Sequence, residues 1–224
     1  MIPKKIHQVW VGDKPIPDLY LQYTKEWQRL NPKFEYKLWT SNDFDENEFS
    51  KYCYKNNRMA HYVDYLRAQI LYNEGGVYVD VDIKPIRPIP YFWLNAEFTI
   101  VKTDLWWVMG GFLMANKELP FLKSVIKDYN SFEYTNKEVY TNFRNDWDDG
   151  SVYIRNLLLI YKLEFIKHDT LGIRTLSPKL NLLDNTIMLL PMLETEEKQL
   201  KTWPYKKIDL SKVIALQRPE EYDT

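Results

Sequence analysis

The stretch Gly75-Gly-Val-Tyr-Val-Asp-Val-Asp-Ile83 decides the fold that we expect of this chain. Neighbouring residues of a β-strand point to opposite faces, so the apolar residues would share one face and Tyr78, Asp80 and Asp82 the other. Two carboxylates about 6–7 Å apart on one face repel each other and cost free energy to desolvate. A divalent cation bound beside them would remove that cost.

The residues that follow place these carboxylates at the end of the strand. Lys84-Pro85 comes directly after Ile83, and proline interrupts regular strand pairing. Open α/β sheets bind their ligands at the carboxyl ends of their strands. The first hypothesis is therefore a metal-assisted reaction on a substrate that carries phosphate.

The composition excludes several classes of protein. Of the 224 residues, 45% are hydrophobic, 27% are charged and the formal net charge is −1, which argues against a nucleic-acid partner. No apolar run approaches the length of a transmembrane segment, and the N-terminus has no signal-peptide core. Cys53 is the single cysteine, so no intrachain disulfide can form. We expect a protein of the cytoplasm, of its own cell or of a host cell.

Helical and strand patterns alternate along the chain and predict one α/β domain, residues 1–224, with a mostly parallel sheet. The clearest helix covers residues 58–74, with Ala60, Val63, Leu66 and Ile70 along one stripe and Gly75 at its end. The other predicted helices cover residues 18–30, 120–129 and 151–163, and residues 130–150 are expected to form a long loop. Further strands are predicted at residues 6–11, 34–39, 98–101, 111–114, 173–176 and 187–190.

Asp64 and Arg67 lie three residues apart on the predicted helix and therefore share a face. A solvated ion pair of this kind contributes only a few tenths of a kcal/mol. However, the helix leads through Gly75 and Gly76 directly into the acidic strand. The pair could instead lie near the carboxyl ends of the strands, where ligands bind, and hydrogen-bond to sugar hydroxyls and a phosphate.

Three segments in this order resemble glycosyltransferase family 32, the DXD sugar transferases. They are the residues from Ile2 to Gly12, the run Ala60-His-Tyr-Val-Asp-Tyr-Leu-Arg67, and the run from Ile70 through the acidic pair to Asp82. The resemblance is close over residues 2–12 and 58–86 and follows only in general order elsewhere. It implies a GT-A fold, which is a single Rossmann-like domain, and a nucleotide-sugar donor with Mn²⁺ or Mg²⁺. It also implies retention of the anomeric configuration.

The resemblance assigns roles to individual residues. Asp80 and Asp82 match the metal-binding DXD pair, with Asp82 as the more direct metal ligand, and Asp64 and Arg67 match donor-sugar contacts. These four residues form the expected catalytic set. Oxygen ligands suit Mg²⁺ or Mn²⁺ better than zinc. The three histidines and Cys53 show no zinc-ligand spacing, and we interpret His7 and His61 as structural.

Trp10 matches the aromatic residue that stacks on the nucleotide base, and the alternative is a core tryptophan at a strand end. We expect a UDP-sugar in preference to a GDP-sugar. The residues expected to bind the nucleotide sugar are Val9, Trp10, Asp64, Arg67, Tyr78 and Asp80.

Two other stretches allow two interpretations each. Trp106 and Trp107 precede Gly110 and Gly111, where an acceptor sugar could approach the backbone and stack, or the tryptophans could pack in the core. The Asp148-Asp149 pair precedes a predicted helix and either caps it or belongs to the site.

The C-terminus departs from the family pattern. Family members commonly end with a histidine and a Ser-Trp pair that close over the metal and the diphosphate, whereas Gln217 and Arg218 stand there in this chain. Either these residues substitute, with Lys206 and Lys207 as further cations, or the lid is shortened. We expect residues 205–224 to form a mobile lid.

The sequence thus predicts a metal-dependent, retaining glycosyltransferase that moves a hexose onto a glycan or another hydroxyl acceptor. The first alternative is a non-catalytic protein of the same fold that binds nucleotide sugars or glycans. The second is a metal-dependent phosphohydrolase or nucleotidyltransferase, which gives no role to Asp64, Arg67 and Trp10. The sugar, the acceptor, the linkage and the oligomeric state are not determined by the sequence.

Overall fold

The structure is a computed structural model that describes residues 1–102, 108–131, 165–168, 172–175, 180–184, 187–189 and 214–217. The helices are α1 (Asp18–Leu30), α2 (Glu48–Lys55), α3 (Met59–Glu74) and α4 (Pro120–Ser131). The strands are β1 (Lys5–Trp10), β2 (Glu35–Thr40), β3 (Gly76–Val79), β4 (Ile83–Pro85), β5 (Phe98–Lys102), β6 (Val108–Ala115), β7 (Phe165–His168), β8 (Gly172–Thr175), β9 (Leu180–Asp184), β10 (Ile187–Leu189) and β11 (Ala215–Gln217). Short 3₁₀ helices cover Ser41–Asp43 and Tyr91–Asn95.

The main sheet has six strands in the order β2-β1-β3-β6-β5-β9. Its β1–β2, β1–β3 and β5–β9 pairs are parallel, whereas β6 runs antiparallel to both of its neighbours, β3 and β5. The expected α/β class with a mostly parallel sheet is therefore confirmed for the described strands. A second sheet has the order β10-β11-β4, and β7 and β8 form an antiparallel pair.

The join between α3 and β3 fixes the direction of the central strand. Gly75 ends α3 with a φ of +63°, and Gly76 has a φ of +101°, both in the left-handed region that favours glycine. A Cβ atom on Gly76 would lie 2.7 Å from the carbonyl oxygen of Lys5. The two glycines therefore let the helix turn directly into a strand that packs closely beside β1.

The strand predicted over residues 75–83 is shorter in the structure. The expected alternation holds within β3, because Val77 and Val79 pack in one cluster with Trp27 while Tyr78 packs in the cluster of α3. The strand then ends at Val79, and a turn follows it. The prediction that Asp80 and Asp82 share a strand face is therefore wrong, but both residues do follow the carboxyl end of a strand.

The expectation that strand pairing ends at Pro85 is confirmed, because Pro85 is the last residue of β4. It is paired there with Ala215 of β11. This short strand is the edge of the second sheet, a position where proline is tolerated.

The predicted apolar stripe of α3 is only partly correct. Ala60 is exposed, whereas the buried side includes Tyr65, Leu66 and, unexpectedly, Arg67. The helix contacts β1, β3, β6, α2 and α4, so its C-terminal half is enclosed on more than one side.

The loop predicted over residues 130–150 begins later than expected, because α4 continues to Ser131. Its residues 132–150 and the helix predicted over residues 151–163 lie outside the described residues. Within the described ranges, none of the helices is both long and apolar enough to cross a membrane.

Candidate functional site

The turn that carries the acidic pair is held by hydrogen bonds at both ends. The Asp80 amide donates to the carbonyl oxygen of Gly111 at 2.8 Å, and the Asp80 carbonyl oxygen accepts from the Ile83 amide at 3.2 Å and from Gln8 Nε2 at 3.3 Å. The indole of Trp27 donates to the carbonyl oxygen of Ile83 at 2.9 Å. The backbone under the two carboxylates is thus fixed by residues of three other elements.

Gln8 is a residue that the sequence analysis missed. It is fully buried in β1, and its Oε1 accepts hydrogen bonds from Thr24 Oγ1 at 2.9 Å and from Tyr36 Oη at 2.8 Å. Burial raises the pKa of Tyr36 to about 12, so its hydroxyl keeps its proton. These bonds fix the amide with its NH₂ group towards Asp80. A polar glutamine inside the strand predicted over residues 6–11 was the available signal.

The Asp80 carboxylate is oriented by Tyr78. The hydroxyl of Tyr78 donates to Asp80 Oδ1 at 2.6 Å, and the tyrosine side chain is completely buried. Burial, and secondarily the charge of Asp80, raises the pKa of Tyr78 well above its usual value. The structure therefore places Tyr78 behind Asp80, away from solvent.

Asp64 and Arg67 form an ion pair within α3, in which Arg67 Nη2 donates to Asp64 Oδ1. The side chain of Arg67 is 5% exposed and that of Asp64 13%, so the interpretation of a solvated surface pair is wrong. Burial lowers the pKa of Arg67, but the nearby charges, with those of Asp64 and Asp80 foremost, together raise it above its usual value. The structure thus brings three predicted site residues into one charged cluster.

The Arg67 guanidinium is not fully satisfied within the part of the chain that the structure describes. Its Nε is buried and has no hydrogen-bond partner there. A buried donor without a partner costs about 1–3 kcal/mol. An oxygen of a bound ligand would remove this cost.

The carboxylate oxygens of the acidic turn suit a hard cation whose remaining coordination positions are filled by a bound ligand. Asp82 is partly buried in the same turn, two residues beyond Asp80. The described residues contain no group of three or more histidine, cysteine, aspartate or glutamate side chains that could hold a metal ion. Asp80 and Asp82 offer only oxygen ligands, and Mg²⁺ is typically bound by one or two carboxylates together with substrate phosphates and water. The residues therefore fit such a cation in the presence of a phosphate ligand.

Trp10 lies at the same edge of the sheet, at the carboxyl end of β1. It is partly buried, packs on the cluster of Tyr20, Tyr23 and Val81, and donates from its indole nitrogen to the carbonyl oxygen of Lys14 at 2.7 Å. Because Val81 stands between the two acidic residues, the indole lies beside the acidic turn. Val9 is buried in the core, so a contact of its side chain with a ligand is not supported.

His7 is confirmed as a buried structural residue. Its Nδ1 accepts from the indole of Trp39 at 3.1 Å, so its Nε2 carries the proton and donates to the carbonyl oxygen of Gly75 at 2.9 Å. Burial lowers the pKa of His7 to about 4. The neutral imidazole therefore supports the turn from α3 into β3.

The described part of the C-terminus lies next to the acidic turn. Gln217 of β11 is paired with Ile83, one residue after Asp82. Ile214 is 4% exposed, and its carbonyl oxygen accepts from the amides of Ile86 and Arg87 at 2.7 and 3.1 Å. Ala215–Gln217 is thus a paired strand, and the mobile lid stays a prediction for the residues outside the described ones. The predicted sites at Trp106, Trp107, Asp148, Asp149, Lys206, Lys207 and Arg218 lie outside the described residues.

Comparison with known proteins confirms the resemblance seen in the sequence. Residues 17–106 match the family described as glycosyltransferase sugar-binding region containing DXD motif, and this region includes α3 and the acidic turn. The chain is 28% identical over 143 residues to inositol phosphoceramide mannosyltransferase 3 of Schizosaccharomyces pombe, which covers 59% of this chain and 38% of that protein. It is 27% identical over 114 residues to the initiation-specific alpha-1,6-mannosyltransferase of Candida albicans, covering 46% and 30%.

The chain therefore spans less than half the length of these two curated relatives. Among solved structures it is similar to one titled PaToxG Glycosyltransferase, with a TM-score of 0.47 and 16% identity, over 71% of this chain and 75% of that chain.

Proposed function

We propose that this chain, which carries the sugar-binding region of the DXD glycosyltransferases, transfers a hexose from a nucleotide sugar to a hydroxyl acceptor. A UDP-sugar is the favoured donor, the acceptor is a glycan or another hydroxyl compound, and the anomeric configuration is retained, as the resemblance implies. Mn²⁺ or Mg²⁺ is the proposed cofactor. The cytoplasmic location expected from the sequence stays a prediction.

The observation that carries this proposal is the charged cluster of Asp64, Arg67 and Asp80 at the carboxyl end of β3. Burying charged groups costs several kcal/mol each, and an ion pair recovers that cost only with good geometry and further hydrogen bonds. Here one guanidinium nitrogen has no partner in the described structure, although the cluster adjoins the acidic turn. A binding role explains why the chain keeps this costly arrangement.

The proposed roles follow from the positions of the side chains. A divalent cation held by Asp80 and Asp82 would neutralise the charge that develops on the departing diphosphate. Asp64 accepts hydrogen bonds from hydroxyls of the donor sugar, and Arg67 holds Asp64 in place and donates from Nε to a ligand oxygen. Trp10 stacks on the nucleotide base from the end of the adjacent parallel strand.

The names of the relatives guide the choice of donors for a test. Both curated relatives described above are called mannosyltransferases, so mannose belongs among the candidate sugars. A panel of UDP-sugars together with GDP-mannose therefore covers both the base favoured by the sequence analysis and the sugar named in the relatives.

The experiment measures what each nucleotide sugar releases when incubated with the protein and Mn²⁺, and repeats the best case with EDTA. We expect release of free sugar and nucleoside diphosphate, lost in EDTA and in the Asp82→Asn variant. Saturable binding without any release would favour the non-catalytic binding protein. Release of nucleoside monophosphate would favour a phosphohydrolase or nucleotidyltransferase.

A further inference from the structure

Strand β6 has no side chains where it passes the charged cluster. An ideal Cβ on Gly110 would lie 2.5 Å from Nη2 and 2.8 Å from Cζ of Arg67. An ideal Cβ on Gly111 would lie 2.5 Å from Oδ2 of Asp80. Contacts below 3.0 Å are shorter than real Cβ atoms show, so any other residue at these positions must displace the charged groups.

The backbone itself does not require glycine here. The described glycines with positive φ are Gly12, Gly75 and Gly76, and neither Gly110 nor Gly111 is among them. Glycine within a strand is otherwise unfavourable, because it loses more conformational entropy and contributes no packing. The reason for glycine at these two positions is therefore the space that Arg67 and Asp80 occupy.

The pairing of β6 changes at the same place. The register with β5 shifts from Ile100 opposite Leu113 to Val101 opposite Met109, which leaves residues 110–112 of β6 without partners on β5. The contact with β3 continues, since Val79 is paired with Phe112 and the Asp80 amide bonds to Gly111. Irregularities of this kind occur next to functional sites, where they redirect a side chain or end the pairing.

We propose that Gly110 and Gly111 are positioning residues that set the affinity of the site for a divalent cation with a nucleoside diphosphate. Gly110 provides the space for the Arg67 guanidinium, and Gly111 provides the space for the Asp80 carboxylate. This assignment rests on the proposed function. It differs from the expectation that these glycines admit an acceptor sugar, because in the structure the chain's own side chains fill that space.

The proposal predicts a loss of binding without a loss of folding. Asp80 is partly exposed, so its carboxylate can move at little cost to the backbone, whereas a shift of the buried Arg67 guanidinium also disturbs its ion pair with Asp64 and should cost stability. Gly111→Ala moves the Asp80 carboxylate away from Tyr78 and from the cation, and Gly110→Ala moves the guanidinium away from Asp64. Ala115→Gly, on the same strand but opposite Gly76, is the matched control, because it should weaken the strand and leave the site intact.

The first experiment measures the dissociation constant of UDP and of GDP in MnCl₂ by titration calorimetry, together with the urea midpoint of each free protein. We expect Gly111→Ala to weaken binding of the better nucleotide at least tenfold, with a urea midpoint close to that of the wild type. Ala115→Gly should show the reverse pattern, a lower midpoint and binding within twofold of the wild type. Unchanged binding in Gly111→Ala would overturn the proposal.

A second experiment does not depend on any ligand and therefore separates this proposal from the proposed function. The urea midpoint is compared for Gly111→Ala in the wild-type background and in an Asp80→Ala background. Gly111→Ala should change the urea midpoint more favourably in the Asp80→Ala background than in the wild type, because the alanine Cβ then no longer meets the Asp80 carboxylate. Equal effects in both backgrounds would overturn the proposal. Wild-type protein that binds neither nucleotide would overturn the proposed function and the affinity role that rests on it, but not the steric role of Gly111 beside Asp80.

Discussion

The hydroxyl of Tyr78 donates a hydrogen bond of 2.6 Å to Oδ1 of Asp80, from a side chain that has no solvent exposure. The two residues are separated by one position and lie on either side of the point where β3 ends. Because burial raises the pKa of Tyr78 well above its usual value, the hydroxyl remains a donor throughout the working pH range. The buried end of the strand thus determines the orientation of a carboxylate in the ligand site.

Replacement of Tyr78 by phenylalanine should weaken the site without changing the fold. A hydrogen bond to a charged group contributes about 1.5–3 kcal/mol, and part of this will be recovered by water at the partly exposed Asp80. We expect nucleoside diphosphate binding in MnCl₂ to weaken by roughly tenfold, which corresponds to about 1.4 kcal/mol. Titration calorimetry measures this change.

Tyr65→Phe is the matched control for that variant. Tyr65 is also buried, and its hydroxyl exchanges hydrogen bonds with Asn47, Gln69 and Asn130, away from the acidic turn. It should lower the free energy of unfolding and leave the binding constant unchanged. Equal losses of affinity in both variants would mean that Tyr78 acts only through general packing.

Replacement of Asp82, the proposed metal ligand, should abolish the dependence of nucleotide binding on the cation. For the wild type we expect UDP or GDP to raise the melting temperature far more in MnCl₂ than in EDTA, since a ligand at a hundredfold its dissociation constant adds about 2.7 kcal/mol of stability. Asp82→Asn should remove this difference and leave the melting temperature of the free protein nearly unchanged. Asp45→Asn, at an exposed position, is the control. Equal shifts in MnCl₂ and EDTA would contradict the metal-binding role of the acidic pair.

The two interpretations of Trp10 are distinguished by one variant. If the indole stacks on the base, Trp10→Ala should raise the donor KM by an amount that corresponds to about 1–3 kcal/mol. Because Trp10 is only partly buried, its loss of stability should be smaller than the roughly 3–5 kcal/mol of a core tryptophan. Trp39→Ala is the control for this variant. Trp39 is also partly buried and is paired with Val9 on the neighbouring strand, and its replacement should leave the KM unchanged. A core-sized loss of stability with an unchanged KM would assign Trp10 to the core.

The burial of His7 should make the free energy of unfolding depend on pH in the acid range. Its pKa is about 4 in the folded protein and 6.5 in an unfolded chain, so between these values the unfolded state binds more protons. The contribution of His7 is therefore fully present above about pH 6.5 and is lost as the pH falls towards 4, by at most about 3 kcal/mol. Urea midpoints from pH 7.5 to 4.5 measure this loss. His7→Asn, which does not titrate, should show a smaller decline, and an identical decline would exclude His7 as the cause.

Local sequence signals were sufficient for many elements. Helix α1 begins at Asp18 and ends at Leu30, as predicted, and Asn31-Pro32 follows it directly. Gly75 marked the end of α3 correctly, because the helix ends there in the left-handed conformation that glycine favours. Helix α2 was missed, since its eight residues offered little periodicity, although Asn47 caps it by accepting a hydrogen bond from the Ser50 amide.

The details of the site depended on contacts between distant residues. The apolar spacing of Val77, Val79, Val81 and Ile83 does not distinguish a chain that continues as a strand from one that turns after residue 79. The turn is stabilised by Gln8 and Trp27, which lie 72 and 56 positions away from their partners. Likewise, the space that Gly110 provides for Arg67 exists only in the folded sheet. The motif was sufficient to locate the site, but the residues that support it could be identified only from the three-dimensional structure.

The final prediction concerns the C-terminus, where strand and tail have separate roles. Truncation after Lys212 removes β11, with the buried Ile214 and the pairing of Gln217 to Ile83, so it should lower the free energy of unfolding as well as donor hydrolysis. Truncation after Gln217 keeps the strand and removes Arg218, which can bind phosphate oxygens with two parallel hydrogen bonds. We expect this shorter truncation to reduce donor hydrolysis without a change in melting temperature. Full activity after the shorter truncation would show that Arg218 does not take the role that the C-terminal histidine and tryptophan have in the family.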